Sequence, residues 1–105
     1  GRCYIEMKSV TLGIDGIACF PGAPTVRGRK HIETMIRVVE EGHRAVVVFV
    51  IQRNDATCFS PDDANDPEFG ASLRNAVKLG VEVYAFTCTL TKQEIIIAGE
   101  VPVQL

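Results

Sequence analysis

Ala45-Val46-Val47-Val48-Phe49-Val50-Ile51 is an unbroken run of seven apolar residues, five of them β-branched. Seven residues make a strand, far short of the roughly 20 that a membrane-spanning helix needs. Because successive side chains point to opposite faces, a run apolar at every position is buried on both. That is the condition of a central parallel strand, so His43 to Arg53 is read as the middle of an α/β sheet.

Parallel strands need crossover connections, and the flanking sequence supplies two helices. Upstream, Thr25 is a suitable N-cap, and Ile32, Met35, Ile36 and Val39 fall at i, i+3, i+4 and i+7 to form one apolar stripe. This helix is predicted to run to about Glu41 and stop at Gly42. Downstream, Asp66 caps a second helix with Pro67 at its first position, Phe69, Leu73, Ala76 and Val77 as its buried stripe, and Gly80 at its end. Residues 54–65 between are polar and are read as a loop. Val81 to Thr89 is predicted as a further strand, paired after a Leu90–Gln93 turn with Glu94 to Ala98; Val101 to Val103 form the tail.

The N-terminal segment completes the sheet. Cys3 to Leu12 reads as a strand, Gly13-Ile14-Asp15-Gly16 as a turn, Ile17 to Phe20 as a returning strand, and Pro21-Gly22-Ala23-Pro24 as a breaker. The fold class is α/β, a mixed sheet flanked by helices, in a single domain over residues 1–105. The outer edge of the first strand is expected to need a partner.

The chain has 105 residues, 47% of them hydrophobic and 23% charged, with a formal net charge of −2. A mildly acidic chain is no wholesale polyanion binder, so any nucleic-acid surface has to be a local patch. Cys3, Cys19, Cys58 and Cys88 lack zinc-site spacing and read as free, mostly buried thiols of a cytoplasmic protein. No membrane segment or secretory signal is recognised. Without an initiator Met and entering a strand almost at once, the chain is expected to be a piece of a longer protein.

Two clusters carry chemistry. In the first strand Glu6 and Lys8 are two residues apart and share a face with Tyr4 and Val10; Cys3, Ile5, Met7 and Ser9 read as the better-buried face. A carboxylate and an ammonium so placed can share a divalent cation and a phosphate, although a solvated charge pair has the same spacing. In the first turns of the first helix, Arg27, Arg29, Lys30 and His31 oppose the helix dipole, as do Glu40 and Glu41 at the other end. Cations at a helix start act with the exposed amides to attract an oxyanion, and Gly28 leaves room for close approach. The alternative is that they are solvated or pair with Asp15, Asp62 or Asp63. Asp62, Asp63 and Asp66 are read as turn and cap residues, Gln52-Arg53 as a strand exit, and Cys58 as a loop thiol.

Cys3-Tyr4-Ile5-Glu6-Met7-Lys8-Ser9-Val10-Thr11-Leu12, Phe20-Pro21, Thr25-Val26-Arg27-Gly28-Arg29-Lys30-His31 and Glu41-Gly42-His43-Arg44-Ala45-Val46 together resemble the C-terminal region of the sugar fermentation stimulation protein A (SfsA) family. Gln52-Arg53, Phe59-Ser60-Pro61, Asp66-Pro67-Glu68 and Gly80-Val81-Glu82-Val83 continue the resemblance in order along the chain. It implies a PD-(D/E)xK, restriction-endonuclease-like core, DNA binding, and a link to the regulation of sugar metabolism genes. Glu6 would be the metal ligand, with Mg²⁺ as cofactor, and Lys8 the catalytic lysine. The family's OB-like N-terminal domain and the Asp-bearing first strand of its core would lie upstream of Gly1. Gly22 stands where the family has an acidic residue.

These readings give three functional expectations. The first is a DNA-binding domain with an incomplete nuclease-like site, holding the phosphate backbone through Arg27, Arg29, Lys30 and His31. The second is a metal-dependent nuclease active only as an oligomer or in a longer chain. The third is a non-catalytic module that self-associates through its open sheet edge.

Overall fold

The computed structural model describes residues 1–90 and 95–105. The elements among them are β1 (Cys3–Val10), β2 (Leu12–Ile14), β3 (Ile17–Phe20), α1 (Val26–Glu40), β4 (Arg44–Ile51), β5 (Cys58–Pro61), α2 (Pro67–Lys78), β6 (Glu82–Leu90) and β7 (Ile95–Val101). They form a four-stranded sheet in the order β1-β4-β6-β7 and a three-stranded sheet in the order β2-β3-β5. β4 runs parallel to both β1 and β6, as its two apolar faces require, and β6–β7 is antiparallel. The α/β reading with a mixed sheet therefore holds.

The core lies on one side of the larger sheet. Ala45, Val47, Phe49 and Ile51 of β4 are all fully buried there. The Phe49 ring stacks on Phe59 of β5 at a centroid distance of 4.1 Å and meets Phe20 of β3 and Phe69 of α2 at 5.7 and 6.5 Å. Both helices and the smaller sheet thus pack on this face.

The sequence reading is corrected at three places. Cys3 to Leu12 is not one strand: β1 ends at Val10, and Leu12–Ile14 instead pairs with β3 across an Asp15-Gly16 turn whose residues both have positive φ, 52° and 79°. The polar loop over 54–65 contains β5, where Cys58, Phe59 and Pro61 are buried beside β3; the short apolar patch is stabilised by that sheet and by Phe49. Cys58 is consequently a buried strand thiol and not a loop one. The turn read at 90–93 and the start of the last strand at Glu94 fall on residues 91–94, outside those described.

The third correction concerns β1. Ile5 and Met7 are 61% and 65% exposed, while Val10 is buried and Lys8 largely so. The register sets Glu6 beside Val47 and Lys8 beside Phe49, on the face that α1 covers. The apolar alternation of Cys3, Ile5, Met7 and Ser9 is overridden by where the crossover helix lies.

On the other face Arg44 donates two hydrogen bonds to Glu82, at 2.5 and 2.8 Å, and the Tyr84 hydroxyl donates a third at 2.9 Å. These donors lower the Glu82 carboxyl from 4.5 to about 2, the Arg44 hydrogen bonds contributing most. A carboxylate whose pKa falls on folding stabilises the fold above its ordinary value and loses that contribution as the pH drops toward the folded one. Asp55 and Asp63, lowered by Arg53 and Arg74, act in the same sense. Urea unfolding midpoints of the native chain are therefore expected to fall between pH 4.5 and about 2. Glu82→Gln should make that fall shallower without abolishing it; an acid limb unaltered by Glu82→Gln would show the cluster to be energetically idle.

Candidate functional site

The starts of the two helices are tied together by three hydrogen bonds. Thr25, extended at φ −134°, accepts the Gly28 amide on its hydroxyl at 3.0 Å, as an N-cap should. The Thr25 amide itself donates to Asp66 Oδ2 at 2.8 Å. Asp66 is the N-cap of α2, where its Oδ1 accepts the Phe69 amide at 3.0 Å, and it is only 3% exposed. One buried carboxylate thus ties the starts of both helices. Gly28 is buried at the same junction: a Cβ there would stand 2.7 Å from Thr25 Cγ2 and 3.4 Å from Phe69 Cδ1. Its missing side chain makes room for the Thr25 cap, with Phe69 of α2 in contact beyond it, rather than for a ligand.

With α1 held in this way, its first-turn cations diverge. His31 points to β1, where Lys8 Nζ donates to its Nδ1. Lys8 Nζ also lies 3.3 Å from Glu6 Oε1, and His31 Nδ1 lies 3.1 Å from the same oxygen. Glu6, Lys8 and His31 therefore form one cluster, with side chains 35%, 11% and 31% exposed: an ammonium tucked beneath, and a carboxylate and an imidazole at the rim. The sequence placed His31 with the arginines; the structure places it with the acid–base pair.

Arg29 turns the other way. Its guanidinium pairs with Glu68 in the first turn of α2 and its Nε donates to the Thr25 carbonyl at 3.4 Å. It serves the junction between the helices, and the expected pairing with Asp15, Asp62 or Asp63 is not what is found. Arg27 and Lys30 are exposed. Among the described residues no carboxylate lies within ion-pair distance of either.

The remaining nominated residues are structural. Asp62 accepts from the backbone and side chain of Asn65, at 3.4 and 2.7 Å, and Asp63 pairs with Arg74. Arg53 pairs with Asp55 and reaches the Gly13 carbonyl, while Gln52 donates to Ser9 Oγ. Gly22 adopts φ +82°, a left-handed conformation that suits glycine better than the acidic residue of the family pattern. A cavity of about 360 Å³ lined by Val77, Val81, Val83, Val103 and Leu105, with Glu82 and Tyr84, is mainly apolar and contains none of the nominated residues.

A divalent cation fits the cluster only in part. Glu6 offers one carboxylate, already shared with Lys8, and His31 one ring nitrogen. Among the described residues no three His, Cys, Asp or Glu side chains gather to hold a metal. Hard cations take six or more oxygens, so most ligands would have to come from solvent, a phosphate or further polypeptide.

Asp66 gives a direct test of how the site is positioned. Asp66→Ala removes the acceptor for one buried and one half-buried amide and should cost about 2–4 kcal/mol in urea unfolding. It should also displace the His31 ring resonances. A loss under about 0.5 kcal/mol would show that the helix starts are held by other contacts.

Residues 1–94 match the family model of the sugar fermentation stimulation protein RE domain. A sugar fermentation stimulation protein homolog of Caldanaerobacter subterraneus is 54% identical over 103 residues, covering 98% of this chain and 45% of the relative. That of Desulforamulus reducens is 48% identical over 105 residues, 100% of this chain and 44% of the relative. A solved structure, Pyrococcus furiosus SfsA in complex with Ca²⁺, superposes with a TM-score of 0.92 at 33% identity, over 98% of this chain and 45% of that one. The chain thus spans a little under half the length of these relatives.

Proposed function

The chain belongs to the sugar fermentation stimulation protein family, and we propose that this domain binds the phosphate backbone of DNA at the Glu6–Lys8–His31 cluster. One observation carries the reading: residues 23 to 25 positions apart are brought to one place where β1 meets the start of α1. The α1 dipole acts there, and Arg27 and Lys30, exposed in the adjoining turns of α1 and without a carboxylate partner among the described residues, add positive charge along the helix beside the Glu6-paired Lys8 ammonium. Contacts to phosphates position a duplex without reading its sequence. Arg29, held by Glu68, contributes through the helix junction and not as a free phosphate ligand.

A cytoplasmic setting suits this reading. No helix among the described residues is long and apolar enough to cross a membrane, and all four cysteines are free. β1 lies at the sheet edge with Ile5 and Met7 exposed, and we assign any self-association to that edge.

The binding reading is tested by salt titration of DNA affinity. The Arg27→Ala/Lys30→Ala double variant should reduce the slope of log K against log salt by about two, one for each phosphate that is no longer neutralised. A slope equal to that of the unaltered chain would remove both residues from the interface.

A second reading is phosphodiester cleavage with a divalent cation; the Ca²⁺ complex of the Pyrococcus furiosus relative supports only the cation-binding part of it. Mg²⁺ or Ca²⁺ would share Glu6 with a phosphate. Lys8, whose ammonium is fixed beside Glu6, would supply positive charge to the phosphate or to an attacking water. With one carboxylate at hand, no complete hydrolytic step follows from this chain alone. Accordingly, plasmid cleavage by the 105-residue chain in Mg²⁺ should stay at background. Cleavage that persists in Glu6→Ala would remove Glu6 from the chemistry, and cleavage that Glu6→Ala abolishes would show the site to be complete as it stands.

A further inference from the structure

The distribution of ion pairs singles out one side of α1. Among the described residues Lys8, Arg29, Arg44, Arg53 and Arg74 each have a carboxylate partner. Arg27, Lys30 and Arg37 have none, and all three lie on α1 and are exposed. The other described cations without a carboxylate partner, Arg2 and Lys78, stand on different segments.

The three also share a side of the helix. From Arg27, Lys30 is at i+3, Thr34 at i+7 and Arg37 at i+10, so they follow one another along the helix surface, with exposed Glu33 flanking the line between Lys30 and Arg37 and Glu40 and Glu41 beyond it, none of them within ion-pair distance of these cations. His31, at i+4 from Arg27, borders the stripe where it meets the Glu6–Lys8 cluster. Arg37 is partly fixed in this line: its Nη2 donates to Thr34 Oγ1 at 3.2 Å, and the Thr34 hydroxyl donates to the Lys30 carbonyl at 3.0 Å.

We infer that this side of α1 is a track for the DNA backbone, which runs from the Lys8 site over Arg27 and Lys30 to Arg37. The inference rests on the phosphate-binding reading above and adds Arg37 to it. The cations form a line, which suits a linear polyanion better than a single small anion. At 1.5 Å per residue the line is about 15 Å long. A line of that length can meet more than one phosphate of a strand, which a single small anion would not need.

Anisotropy of a fluorescein-labelled DNA duplex, titrated with salt, tests this in the unaltered chain and in Arg37→Gln, Arg37→Lys and Lys78→Gln. Arg37→Gln should make the log–log salt slope shallower by about one, as expected when one fewer phosphate is neutralised. Arg37→Lys, which keeps the charge, and Lys78→Gln, which removes a free cation from α2, should both keep the original slope. DNA binding with an unchanged slope in Arg37→Gln overturns the track and leaves the Lys8 site standing. An equal change in Lys78→Gln also overturns it, since net charge and not the stripe would then govern. If the unaltered chain does not bind the duplex at low salt, the phosphate-binding reading itself fails, and the track with it.

Discussion

The parallel pairing of β1 with β4 is the constraint on which the rest depends. Two parallel neighbours cannot be joined by a tight turn, so the chain leaves β1, makes the β2–β3 hairpin, and returns through α1. The helix must lie over one face of the sheet, and it lies over the face that carries Glu6, Lys8 and Val10. From that single placement follow the exposure of Ile5 and Met7, the burial of the Lys8 stem, and the meeting of His31 with Glu6. Burying an ammonium is costly unless it is partnered, and the carboxylate and imidazole above Lys8 are what make the position tolerable.

The electrostatics of α1 fit the same picture. No acidic residue occupies its first turn, where the helix dipole would favour one, and Arg27, Arg29 and Lys30 stand there instead. Two compensations appear. Glu68 from the start of α2 reaches Arg29, and Asp66 accepts the Thr25 amide, so negative charge comes from the neighbouring helix. At the far end Arg37 lies in the last turn, where a cation suits the helix dipole, while Glu40 and Glu41 oppose it. What remains without a carboxylate neighbour from another element is the start of the outward side of α1, at Arg27 and Lys30, which is where an external polyanion would be accepted; further along, Glu33, Glu40 and Glu41 are exposed on the same helix.

Much of this was legible in the sequence because it was written in local chemistry. Thr25 and Asp66 cap their helices through side-chain oxygens, Pro67 starts α2, Asp15-Gly16 makes the hairpin turn, and 45–51 form the central strand. β5 was not legible, since Cys58-Phe59-Ser60-Pro61 is short, ends in proline and becomes a strand only beside β3 and beneath Phe49. Nor was the buried face of β1, where apolarity favoured Ile5 and Met7 and the crossover decided for Glu6 and Lys8. Within the basic run, adjacent residues point to different partners: Arg29 to α2 and His31 to β1. Such a division depends on helix rotation and on what packs against each side. Arg37 carries no signal of its own in the sequence, being separated from the basic run and close to an acidic one.

If the β1 acid–base pair and the cationic start of α1 form one anion-binding place, a bound duplex has to perturb both. The most direct measurement is an NMR titration of the isotopically labelled chain with a short DNA duplex at low salt. Shifts concentrated in Lys8, the His31 ring and the amides of residues 25–31 are the predicted result. Shifts confined to the exposed Ile5–Met7 face, or none at all at saturating duplex, would contradict the claim.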